Sequence, residues 1–121
     1  MKQERINRAY GALRRLNEYK LPVKKAYAVY KLMRAIDDSY QFALGEEQKY
    51  LSEFGGVLNE DGSIQFSSPE KCEMFKEKVQ ELSNNDTDIS FEQVVLNESD
   101  LGEQTVTPAD IYNLEGFVIF G

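Results

Sequence analysis

The sequence predicts an α+β fold: an N-terminal helical hairpin with a long second helix, then a β-hairpin, a further helix and a small, mostly antiparallel sheet. Three observations predict it. Apolar side chains recur every three or four residues through residues 3–54, with one interruption ahead of Pro22. An Asp61-Gly62 turn dipeptide sits between two short apolar runs. Beyond residue 88 the apolar residues gather in two short runs, 88–96 and 117–120.

The first helix is expected over residues 3–18. Ile6, Ala9, Tyr10, Leu13 and Leu16 share one face, with Arg5, Arg8 and Arg15 on others and Arg14 flanking. Asn17 to Leu21 reads as a connector. Pro22 suits the first turn of the second helix, where a missing N–H costs nothing. That helix is expected to reach about Phe54, with Ala26, Tyr30, Met33, Ile36, Tyr40, Ala43, Leu44, Leu51 and Phe54 as its apolar positions. Some 30 residues at 1.5 Å each make it about 45 Å long, so it must project or be lined by other elements. Gly55-Gly56 stops it.

Val57-Leu58 and Ile64-Gln65-Phe66 then form the hairpin around Asn59–Ser63. Ser68-Pro69-Glu70 opens a third helix, with Ser as the cap, Pro at the first position and an acid in the first turn. Cys72, Phe75, Val79 and Leu82 are its apolar stripe. Residues 88–96 read as a strand in which Ile89 and Phe91 alternate and Val94-Val95-Leu96 break the alternation, as in a bulge or two-sided burial. Residues 97–103 are turn-like. Thr107-Pro108-Ala109-Asp110 opens a short helix that turns Ile111 and Leu114 inward. Phe117–Phe120 closes as a strand. One domain covers residues 1–121, with 1–54 as the helical hairpin and 55–121 as the α+β body.

Charge is divided along the chain. Residues 1–36 carry ten cations and two acids, formally +8; since the whole chain is −7, residues 37–121 carry −15. The division points to a nucleic-acid or membrane surface, or to self-complementary packing. Composition narrows the chemistry. There is no His, which removes Ser-His-Asp and Cys-His nucleophilic sites and histidine switching. Cys72 is alone, which rules out an internal disulfide and suits a reducing cytoplasm. No apolar run approaches the length of a membrane span, and the basic start is unlike a signal peptide. No glycine-rich phosphate loop follows Gly55-Gly56, and no cofactor is implied.

The constellation with most to offer is Arg14, Arg15, Lys24, Lys25, Tyr27, Lys31 and Arg34. Cations can neutralise phosphates while tyrosines stack on bases. The alternative places Tyr10, Tyr27 and Tyr30 in the core, with the cations solvated or paired to the acidic half. The acids of residues 46–103 offer a second surface, able to mimic a phosphate backbone or simply to keep the chain soluble. The run Asn84-x-Asp86-x-Asp88-x-Ser90-x-Glu92 has the oxygen ligands that open an EF-hand loop. However, Ile89 stands where the loop needs Gly and Val95 where it needs Glu, so no metal is expected.

The run Lys20-Leu-Pro-Val-Lys-Lys-Ala-Tyr-Ala-Val-Tyr-Lys-Leu-Met-Arg34 leads into a long charged helix ending at Tyr50-Leu-Ser-Glu-Phe54. Asn59-Glu-Asp-Gly-Ser-Ile64 and a helix with Phe75, Val79 and Leu82 follow. Over residues 16–90 this resembles a family of small uncharacterised proteins of tailed bacteriophages and prophages of Gram-positive bacteria. The family has no established activity, so no residue inherits a catalytic role; the resemblance implies a phage-type origin and a bacterial cytoplasm. The expected function is non-enzymatic: a phage-type protein acting through protein–protein interaction or self-association. Two alternatives stand beside it: a nucleic-acid-binding accessory protein, and an acidic inhibitor of a host nucleic-acid-binding defence enzyme.

Overall fold

Gln3–Leu16 form α1 and Val23–Glu53 form α2, and these two helices pack along one another. The structure, a computed structural model, describes residues 1–121. The stripe read from α1 is its buried face: Ile6, Ala9, Leu13 and Leu16 are inaccessible or nearly so, and Ala12 joins them. Pro22 lies just before α2 with φ −53°, the value its ring imposes.

The buried row of α2 matches the expected one at Ile36 and Ala43 and departs from it in the first half. Val29, Leu32, Ile36 and Ala43 are enclosed, whereas Ala26 and Tyr30 face outward. In that half Val29 and Leu32 stand one residue, or about 100°, from the expected Tyr30 and Met33, and both sets are apolar, so periodicity alone selects neither. Packing against α1 decides.

Val57–Leu58 (β1) and Ile64–Gln65 (β2) pair antiparallel, as the Asp-Gly signal predicted. The Asp61 carboxylate accepts from Ser63 N at 2.9 Å and Ser63 Oγ at 2.6 Å, and Gly62 takes the positive φ (87°) that the turn needs. At Gly56 the chain passes so close to the Leu51 and Phe66 side chains that a Cβ would collide with both.

Pro69–Ser83 form α3, capped by Ser68 Oγ, which accepts from Lys71 N at 3.2 Å. Of its stripe, Phe75 is buried and Cys72, Val79 and Leu82 are half-buried. The helix returns along α2 and also meets α1, so α2 is lined by other elements and does not project alone.

The expected strand at 88–96 is confined to Val94–Leu96 (β3), and no bulge is present: Val94 and Leu96 point inward and Val95 outward. Glu98–Leu101 (α4) is helical where a turn was expected, opened by Asp100 Oδ2 accepting from Asn97 N at 2.8 Å. Pro108–Asn113 (α5) begins at the Thr107 cap, whose Oγ1 accepts from Asp110 N at 3.2 Å. Leu114 is buried as expected, but Ile111 is exposed. Val118–Phe120 (β4) pairs with β3 in parallel, Val94 opposite Val118 and Leu96 opposite Phe120. The strands therefore form two separate pairs, one antiparallel and one parallel, where a mostly antiparallel sheet was expected. Residues 97–117 form a crossover long enough to return β4 in the same direction as β3.

The main core joins Ile6, Leu13, Leu32, Ile36, Leu96 and Phe117 with their neighbours. It lies between α1, the first half of α2 and the β3–β4 pair. Phe75 and Ala43 are buried outside it, at the far end of α2.

Candidate interaction surface

The cations read as one group divide into two. Arg15 faces α5, its Nε 2.9 Å from Asp110 Oδ1 and 3.1 Å from Oδ2, with Nη2 bonded to Oδ1 as well. Asp110 is 6% exposed. The hydrogen bonds to this carboxylate are the main cause raising the Arg15 pKa, so the guanidinium stays charged. Lys25 Nζ lies 3.7 Å from Asp100 Oδ2 and donates to the Val95 carbonyl. These two cations are paired within the chain, where they tie α1 and α2 to the C-terminal segment.

Arg14, Lys24, Lys31 and Arg34 are exposed and make no ion pair. Tyr27 and Tyr30, one reading of which placed them in the core, are 58% and 51% exposed. They lie on one face of α2 because they are three residues apart. Their rings stack with centroids 6.2 Å apart, and Lys31 Nζ sits 5.2 Å from the Tyr27 centroid. A lysine over a phenol face gains roughly 0.5–1 kcal/mol at an exposed site.

Tyr30 and Arg34 also border an open hollow of about 210 Å³ with Tyr10, Asn17, Met33 and Asp37. Tyr10 stacks on Tyr40 at 3.9 Å, and its hydroxyl donates to Asp37 Oδ1 at 3.0 Å. Burial first, then the hydrogen bond to Asp37 and the Asp37 charge, push the Tyr10 pKa above its ordinary value. A second, flatter shelf of about 400 Å³ is lined by Gly11, Arg14, Arg15 and Glu18.

Other cations have local roles that the sequence did not disclose. Arg5 donates to the Glu115 carbonyl and lies 5.9 Å from the Phe117 ring; Arg8 lies 5.1 Å from the Tyr112 ring. The start of the EF-hand-like run serves the fold through its backbone: Asp86 forms an isolated β-bridge with Lys2, Thr87 N donates to the Met1 carbonyl at 2.7 Å, and Asn85 O accepts from Gln3 N at 2.9 Å. Gln3, wholly enclosed, completes this seam by donating to Ser39 O at 3.0 Å and accepting from Thr87 Oγ1 at 3.0 Å. No three His, Cys, Asp or Glu side chains converge as a metal site. No helix is long and apolar enough to cross a membrane.

The surface is thus a strip on the outward side of α2, with Tyr27 and Tyr30 at its centre and Lys24, Lys31, Arg34 and Arg14 around them. No family model, curated protein or solved structure matches this chain.

Proposed function

We propose that this chain is a non-enzymatic, phage-type interaction protein that engages a protein partner through the outward face of α2. The observation that carries the reading is the pair of half-exposed, stacked tyrosines, Tyr27 and Tyr30, beside four cations with no acid of their own. Tyrosine supplies large contact area at low conformational cost, and its hydroxyl tolerates water until a partner arrives. Arg15 and Lys25 are consumed by the fold, which leaves a strip too small and too mixed to favour a nucleic acid against a net charge of −7. The absence of His supports the non-enzymatic reading. The lone Cys72 supports a reducing cytoplasm as the setting, and the phage-type resemblance of residues 16–90 supports a bacterial host.

The test has two arms. Tyr27→Glu/Tyr30→Glu should leave the melting temperature within about 2 °C of the parent, since surface changes cost roughly 0.5 kcal/mol or less. A large loss of stability would show that the strip belongs to the fold. Fluorescence anisotropy of a labelled single strand and of its duplex at low salt should show no binding. Binding that weakens steeply with salt would replace this reading with the nucleic-acid one.

A further inference from the structure

The charges of α2 run against its own dipole. Residues 23–36 carry Lys24, Lys25, Lys31 and Arg34 and no acid, while residues 37–53 carry five acids and Lys49. A helix favours acids at its N-terminus and cations at its C-terminus. Here the first turn has no acid, the last turn has no base, and Pro22 offers no side-chain cap. Of the four N-terminal cations, only Lys25 finds an acid within the chain.

The outward face of the same helix carries a second anomaly. Tyr27 and Gly45 are eighteen residues apart, five full turns, so they lie on one line along the helix. Gly45 sits mid-helix, where glycine is unfavourable by roughly 0.5–1 kcal/mol relative to alanine. A Cβ at Gly45 would meet nothing in its own chain, so no internal contact demands the glycine. Phe42, one turn before it, is 57% exposed.

We propose that the partner of this face is a second copy of the chain, with the two α2 helices antiparallel and crossing at the level of residue 36. The inference rests on the interaction reading given above. In this arrangement each basic half lies on an acidic half, and both dipoles are opposed. Tyr27 of each copy covers Gly45 of the other, Arg34 meets Asp38, and Tyr30 and Phe42 flank the seam on its two sides. A two-fold axis makes every such contact twice, and closure at a dimer follows. The glycine is then a notch for an aromatic ring, and Asp38, the acid on this line, pairs with Arg34 of the other copy.

Sedimentation equilibrium of the wild-type chain should return twice its 13.9 kDa mass, with the association weakening as salt rises. Arg34→Glu should weaken the dimer about tenfold or more, and Arg34→Glu/Asp38→Arg should restore it. A dimer indifferent to both would overturn the pairing. In a Cys72→Ser background, mixing Tyr27→Cys with Gly45→Cys should give a disulfide-linked dimer on mild oxidation. Tyr27→Cys alone should not, because its two copies would stand about 27 Å apart along the axis. Cross-linking by Tyr27→Cys alone would overturn the antiparallel arrangement. A monomer at the highest soluble concentration, with the thiol of Tyr27→Cys alkylated at a free-thiol rate, would overturn self-pairing and leave the face open to another partner. A monomer in which that thiol is protected would overturn the interaction reading as well.

Discussion

The two halves of α2 are one continuous helix in two different environments. Residues 23–36 send Val29, Leu32 and Ile36 into the main core shared with α1, β3 and β4. Residues 37–53 bury only Ala43; α3 packs along α2, and the two-residue-per-strand hairpin that follows leaves Val57, Leu58 and Ile64 exposed. The hydrogen-bond ladder is the same in both halves; the tertiary burial is not. Helical stability in proteins comes mostly from the packed face, not from propensity. The first half should therefore open only when the whole chain unfolds, and the second half should open by itself.

Core truncations on the two sides separate the regions most strongly. Phe117 is inaccessible, stacks 5.0 Å from Phe91 and packs in the main core. Phe117→Ala should cost about 3–5 kcal/mol and lower the urea midpoint of the whole transition. Phe75 meets Phe66 in a tilted arrangement, ring centroids 5.2 Å apart, at the far end. Phe75→Ala should speed amide exchange in 57–83 and leave α1, β3 and β4 nearly unchanged, as mass spectrometry would show. Equal effects of both variants on all segments would erase the distinction.

The Arg15–Asp110 pair is the next largest contribution. Asp110→Ala removes a buried carboxylate but leaves a half-exposed guanidinium free to hydrate. The loss should be about 1–2 kcal/mol by urea unfolding, between an exposed pair and a buried one. An unchanged midpoint would mean that Leu114 and the contacts of Arg8 and Arg5 hold α5 without the pair.

Glycine replacements probe each side with the same chemistry. Gly11 in α1 and Gly45 in α2 both have open space where a Cβ would stand. Gly11→Ala and Gly45→Ala should each favour the helix by about 0.5–1 kcal/mol. The gain at Gly11 should appear in the global midpoint. The gain at Gly45 should appear, in the dilute monomer, chiefly as slower local exchange in 44–52.

The smallest effect is a pH dependence in the hairpin. Hydrogen bonds from the Ser63 hydroxyl and backbone lower the Asp61 pKa. A depressed carboxylate stabilises the turn above its unfolded pKa, and that contribution is lost as pH falls through the folded value. Amide shifts of Asn59–Ser63 should therefore move in the acid range and stay flat near neutrality. Asp61→Asn should abolish the movement.

Much of this was legible because local chemistry decided it. Ser68-Pro69 and Thr107-Pro108 cap their helices as read, and the Asp61-Gly62 turn forms its hairpin. Long-range choices were not legible. Val29 and Leu32, not Ala26 and Tyr30, face the core because α1 lies on that side. Arg15 and Lys25 looked like members of one basic strip, yet their acids lie far away in sequence, Asp110 being 95 residues on. Only Arg14, Lys24, Lys31 and Arg34 stay exposed without an ion pair, with Tyr27 exposed beside them. The parallel pairing of β3 and β4 depends on the crossover between them, which no local pattern announces.

Native-state hydrogen exchange along α2, measured at increasing sub-denaturing urea, tests the account most directly. Amides of 29–36 should exchange only through global unfolding, with a steep urea dependence. Amides of 44–52 should exchange through a lower-energy opening with little urea dependence, merging with the global process only at higher urea. A single opening free energy along the whole helix would contradict the account.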